Sequence, residues 1–251
     1  MPISNGLNVT AAAHSGSEIA RERLIVALDV PDVAAALNLV DRLEASCRWV
    51  KVGLELFVAA GPGIVETLLG RDLSVFLDLK FHDIPNTVAG AVRSASSLDV
   101  GMMTLHAGGG PAMLAAAKQA IAGLKNPPQL LAVTVLTSMD QAQLAASGVA
   151  RTPAEQVKLL AAGGLGAGIN GFVCSPEEVA SLRALTGPEG VLVVPGIRPA
   201  GADAGDQKRI ATPASAIRDG ASYLVVGRPI TQADNPAAAA EAIVQEISAA
   251  I

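Results

Sequence analysis

The densest concentration of reactive side chains in the sequence is Asp78-Leu79-Lys80-Phe81-His82-Asp83-Ile84-Pro85-Asn86-Thr87. It puts an ammonium two residues after one carboxylate and three before another. Successive side chains of a strand alternate faces, so Asp78 and Lys80 point the same way. Opposite charges at this range favour one another's ionised forms, and the result is a proton donor beside a fixed negative charge. A structural ion pair followed by a helix cap would use the same residues. Ile84-Pro85 stops the strand, and Asn86 can cap a helix beginning at Thr87. Two further charges weigh against that plain reading: Lys51 lies in the run WVKVG, and Asp29 ends LIVALD. A row of Lys51, Asp78, Lys80 and Asp83, with Asp29 beside it, is hard to explain by packing, since buried charges are costly unless paired.

Such a row needs a frame that sets distant strands side by side. Short β-branched runs begin at Leu24, Trp49, Ser74, Gly101, Leu130, Gly171, Val191 and Tyr223, and Ala-rich stretches of helical spacing lie between them. Eight strand–helix units in 251 residues fit a closed (β/α)8 TIM barrel, at roughly 30 residues per unit. No GxGxxG follows the first strand, which argues against an open doubly wound sheet. The composition agrees: 51% of residues are hydrophobic but only 2% aromatic, so the core is built from small branched side chains, as parallel sheets under helices are. The expectation is an α/β chain with one barrel domain over 24–251, preceded by a loose tail over 1–23 and with its active site at the C-terminal ends of the strands.

Composition also removes several function classes. A formal charge of -5 and the lack of any Lys/Arg-rich run argue against nucleic acid as a partner. The first 23 residues have neither a basic start nor a continuous apolar segment, and no apolar run reaches 18 residues, so no membrane association is expected. Cys47 and Cys174 are too few for a disulfide framework and read as packing residues in a cytoplasmic protein. No His/Asp/Glu cluster has ligand spacing and no pyridoxal or thiamine motif occurs, so neither metal nor cofactor is expected.

A second constellation lies late in the chain. Arg198, in PGIRP, follows the seventh strand, and Gly227-Arg228 follows the eighth; these are the loops that bind phosphate in many barrels. Arginine offers a forked, permanently charged donor, and glycine lets backbone N–H groups approach an anion. The Gly/Ala-rich segment from Pro199 to Asp206 reads as a mobile lid. Other polar residues are ambiguous. Thr137 and Ser138 fit a ligand contact or simple capping. His106 reads as a satisfied core histidine. Gly108-Gly109-Gly110 suits a phosphate loop or a helix start.

At LDLKFHDIPNT the chain resembles the orotidine 5'-phosphate decarboxylase family. The resemblance runs from Leu24 to about Thr231 through ALDV, VKVG, LTS, PGIRP with a later DQKR, and VGRPIT, in the same order and spacing. It implies a cofactor-free decarboxylation of orotidine 5'-monophosphate to uridine 5'-monophosphate. Lys80 would protonate C6 of the pyrimidine after carbon dioxide leaves, Asp78 would lie against the departing carboxylate, and Lys51 and Asp29 would hold ribose hydroxyls and the charge row. Asp83, Ile84 and Thr87 would reach into the partner's site, making an obligate homodimer with two shared sites. Thr137 and Ser138 would contact the pyrimidine, while Pro195, Arg198, Gln207, Gly227 and Arg228 would complete the nucleotide site. Magnesium-dependent barrels of the hexulose-phosphate synthase type resemble the chain at strand three, but they usually carry a carboxylate where Lys51 stands, and a lysine there would repel Mg2+. A barrel that binds a nucleotide without turnover is the non-enzymatic alternative; loss of Lys80 or Asp78 would have favoured it, and both are present.

Overall fold

Each apolar run of four to eight residues becomes a parallel strand because helices cover its outer face and the barrel interior covers its inner one. In a computed structural model that describes residues 16–199 and 209–251, these are β1 (Leu24–Ala27), β2 (Trp49–Gly53), β3 (Ser74–Phe81), β4 (Met102–His106), β5 (Gln129–Val133), β6 (Gly171–Val173), β7 (Val191–Val194) and β8 (Tyr223–Val226). They pair in chain order, and β8 closes on β1. All eight expected strands are present, in the expected (β/α)8 barrel.

Strand alternation separates two cores. Leu24 and Val26 pack outward under the helices, whereas Ile25 and Ala27 join Phe76, Met102, Leu131, Val193 and Val225 inside the barrel. Trp49 and Tyr223 pack against this inner cluster, with ring centroids 5.9 Å apart. Trp49 lies so close to Gly101 that a Cβ there would come within 2.5 Å of its ring. The same alternation, carried one or two steps towards the C-terminal ends, reaches Asp29 after Ala27, Lys51 after Trp49, and Asp78 after Phe76. The charged row is thus the next inward layer above an apolar plug.

Two local expectations need correction. Part of the expected tail is structured: Gly16–Glu22 is a helix with Ala20 buried, Arg21 bridges to Glu241 at 3.0 Å, and its guanidinium also donates to the Ala45 carbonyl. Glu18 in its first turn and Arg21 in its last complement the helix dipole. The helix after β3 spans Pro85–Ser96, two residues ahead of the expected start at Thr87, with no side-chain cap from Asn86. Proline is suited to the first turn because its missing N–H would have no partner there. Among the described residues no helix is long and apolar enough to cross a membrane.

Candidate active site

Three strands supply one continuous row of charge. Lys51 Nζ lies 2.7 Å from Asp29 Oδ1 and 3.6 Å from Asp78 Oδ2, and Lys80 Nζ lies 2.8 Å from the same Asp78 oxygen. Signs alternate along the row, so each carboxylate is compensated by at least one ammonium. The middle is the most buried part: the Lys51 and Asp78 side chains are 11% and 12% exposed, against 32% for Lys80 and 59% for Asp29. Asp78 Oδ1 accepts the Thr104 hydroxyl at 3.0 Å, and the Thr104 oxygen in turn accepts the Lys80 N–H at 2.8 Å.

The backbone at Lys80 is unusual. Its φ is 50°, in the left-handed region, where the pairing of β3 with β4 shifts register between Leu77 and Phe81. A non-glycine residue there costs about 1–2 kcal/mol and persists only when its surroundings hold it. Thr104 and Asp78 hold Lys80 at both backbone and side chain. Thr104 was not singled out from sequence, although a fully buried hydroxyl within the apolar run MMTLH is the signal that could have found it.

Two adjoining cavities open on this row. One of about 160 Å³ is bordered by Lys51, Asp78, Lys80, Thr137, Cys174 and Pro195, with apolar walls from Phe76, Val133, Leu136 and Val225. The other, about 360 Å³, is bordered by Asp29, Lys51, Pro195, Arg198, Gly227 and Arg228. Lys51 and Pro195 belong to both, so the row forms one side of a groove that ends at two arginines. Arg198 is buried; its guanidinium donates to the Ile197 carbonyl at 2.9 Å. Gly227 leaves open space beside its backbone: an added Cβ would meet only Ala27 Cβ at 3.7 Å and Asp29 Oδ2 at 4.0 Å. Gln207 and most of the expected lid lie outside the described residues.

Several expected members stand elsewhere. Asp83 does not join the row. It is exposed, its Oδ1 accepts the Ile84 N–H at 2.6 Å, and it forms no ion pair among the described residues. The strand ends at Phe81, and the turn into Pro85 leaves Asp83, Ile84 and Thr87 exposed and off both cavities. The row ends at Lys80 on that side and at Asp29, beyond Lys51, on the other. Thr137 borders the smaller cavity, whereas Ser138 is exposed in the adjacent turn. Capping explains neither, because Asp140 caps the helix Gln141–Ala146.

His106 is half-buried at the mouth and is not a core residue. Its Nδ1 accepts the Gly108 N–H at 3.3 Å, and its ring stacks on His82 at 5.0 Å. Burial first, then His82 and Lys80, hold its pKa below the ordinary 6.5. The three glycines open the helix Gly110–Ala120 through a short 3-10 turn and border neither cavity. Both cysteines are buried, and desolvation pushes the Cys47 thiol up to about 12 and the Cys174 thiol higher still.

Paired charges this dense at the open end of a parallel barrel, beside a groove running to two arginines, define the class: a (β/α)8-barrel enzyme. A family model described as Orotidine 5'-phosphate decarboxylase / HUMPS family matches residues 22–243. A protein of Moorella thermoacetica named orotidine 5'-phosphate decarboxylase is 54% identical over 234 residues, covering 91% of this chain and 93% of that one. One of the same name from a Nostoc species is 50% identical over 242 residues, covering 93% and 100%. The crystal structure of orotidine 5'-phosphate decarboxylase from Lactobacillus acidophilus aligns with a TM-score of 0.80 at 38% identity, covering 90% of this chain and 99% of that one. The chain belongs to the orotidine 5'-phosphate decarboxylase / HUMPS family.

Proposed function

We propose that the protein converts orotidine 5'-monophosphate to uridine 5'-monophosphate, the last step of de novo UMP synthesis, with Lys80 as the acid and no cofactor. The observation that carries this reading is Lys80 Nζ fixed 2.8 Å from Asp78 at the border of an apolar-walled cavity sized for a flat ring. The substrate carboxylate would lie against Asp78. The bond from C6 to that carboxylate breaks, carbon dioxide leaves, and the electron pair stays on C6. No adjacent carbonyl can absorb a pair held in the plane of the ring, so a fixed ammonium is the main available stabiliser. One N–H bond of Lys80 then breaks as its proton moves to C6, and solvent reprotonates the amine. Repulsion between Asp78 and the substrate carboxylate would add ground-state destabilisation.

Lys51 separates this reading from a magnesium-dependent one. Its ammonium already sits 2.7 Å from Asp29 and 3.6 Å from Asp78, against the oxygens a divalent cation would need. Arg198 and Arg228, with Gln207, would grip the 5'-phosphate, and remote binding energy would then be used at C6. Asp83, Ile84 and Thr87 would serve a partner's pocket in a cytoplasmic homodimer. Their exposure supports this, as do Leu54, Val58 and Ile84, large apolar side chains 54%, 81% and 67% exposed on the segments that follow β2 and β3. The test is a spectrophotometric assay with orotidine 5'-monophosphate, with and without EDTA. Turnover should survive the chelator and vanish in Lys80→Ala while uridine 5'-monophosphate still binds. Residual turnover within about tenfold of the parent, under 1.4 kcal/mol of barrier, would rule out the acid role. Loss on chelation restored by Mg2+ would favour the rival chemistry.

A further inference from the structure

One buried ion pair takes no part in the steps above. Glu178, in the turn after β6, pairs with Arg209, in the segment leading to the helix Pro213–Arg218; their side chains are 3% and 8% exposed. The second Glu178 oxygen accepts the Ser175 N–H at 2.9 Å and the Ser175 hydroxyl as well. Arg209 uses two nitrogens for two partners. One guanidinium nitrogen donates to Glu178 and the other to the Leu136 carbonyl at 3.1 Å, 73 residues away in sequence, while its Nε is buried without a partner among the described residues. Burial pushes the Glu178 carboxyl above its usual range, against the pull of Ser175 and Arg209. Charges buried this deeply are a weak source of stability, since desolvation cancels much of their attraction. Their placement needs another reason.

What the pair touches supplies one. Leu136 and Thr137 form part of the wall of the smaller cavity, and Cys174, between β6 and Ser175, forms another part of it. Two residues beyond Arg209, Ala211 makes a parallel bridge with Ile197, and its carbonyl accepts the Arg198 N–H at 2.9 Å. A single ion pair therefore joins the end of β5, the end of β6 and the segment that carries Arg198. We propose that Glu178–Arg209 is a positioning device that fixes the Leu136–Thr137 wall relative to Arg198, so that the base and phosphate ends of one substrate are met together. This rests on reading Thr137 and Arg198 as substrate contacts. Arginine is needed because its fork reaches both the carboxylate and the carbonyl, which a single ammonium does not.

Arg209→Lys keeps the charge facing Glu178 and drops the Leu136 bond, so it separates positioning from simple support of the fold. Its effect on kcat/KM for orotidine 5'-monophosphate is compared in the parent, Thr137→Ala and Arg198→Ala backgrounds. The expected result is a loss of about tenfold in the parent, with Tm lowered by only about 5 °C, shrinking to less than about threefold in either background because the contact it aims is already gone. A loss under about threefold in the parent, or one that persists in full in both backgrounds, overturns the proposal. Failure of the underlying contacts shows separately, as a Thr137→Ala or Arg198→Ala single variant with parental kcat/KM. Should Arg209→Lys not fold, the double variant E178Q/R209Q carries the same comparison. It is an uncharged amide pair whose shorter side chain at 209 does not span to the Leu136 carbonyl.

Discussion

The charged row and the turn that follows it are adjacent in sequence and opposite in character. Asp29, Lys51, Asp78 and Lys80 sit on or just beyond three neighbouring strands, are linked by contacts of 2.7 to 3.6 Å, and are complete within one chain. Asp83, Ile84 and Thr87 follow within seven residues of Lys80, are exposed, and bond to nothing in either cavity. Strand register fixes a side chain in two directions, and the neighbouring strand fixes it in the third. A turn residue has only its local backbone. The fold therefore organises the charged row by itself, whereas the turn would gain a role in catalysis only through the partner subunit proposed above.

Short of removing Lys80 or Asp83, the largest effect is expected at the arginine end of the groove. Arg228→Ala should lower kcat/KM for the phosphorylated substrate by about 100- to 1,000-fold, about 3–4 kcal/mol, while hardly changing turnover of the unphosphorylated nucleoside. Equal losses on both substrates in steady-state kinetics would instead make Arg228 a support of the fold. Thr104→Val probes how far the row depends on its anchor. It keeps the shape but leaves the Lys80 N–H and Asp78 Oδ1 without their hydroxyl partner, so kcat should fall by about tenfold with KM little changed. An unchanged kcat would mean that strand register alone places Lys80.

The smallest effect is a pH slope at His106. Its folded pKa lies below 6.5, so on acidification the unfolded chain takes up the proton first. Stability is then full above the unfolded value and is lost as pH falls through 6.5 towards the folded value. Denaturant midpoints between pH 7.5 and 5 should fall less steeply in His106→Asn than in the parent, and identical slopes would remove His106 from the account of the acid limb.

The same contrast explains what the sequence could disclose. All eight strands were legible because each is an apolar run buried on both faces, and the inward alternation from Ala27, Trp49 and Phe76 leads to Asp29, Lys51 and Asp78 by counting in twos. Counting stops at Lys80, where a left-handed residue breaks the pleat. Asp83 reads as a member of the row on linear spacing alone, and only the turn at Pro85 shows that it leaves the pocket of its own chain. Thr104 and the Glu178–Arg209 pair escaped notice because their importance lies in partners 24 to 31 residues away in sequence. Short helices such as Leu54–Ala60 and Gln141–Ala146 have too few turns to show a period.

Whether the exposed turn completes a neighbour's pocket is decided by mixing two inactive variants. Lys80→Ala and Asp83→Ala homodimers should each be dead or nearly so. After dissociation, mixing and reassociation, random pairing makes half the dimers mixed, and each mixed dimer joins one intact Lys80 to one intact Asp83 across the two-fold interface. Roughly one quarter of parental activity should return. With subunit exchange confirmed independently by mass spectrometry, a mixture that stays inactive would show that Asp83 serves its own chain.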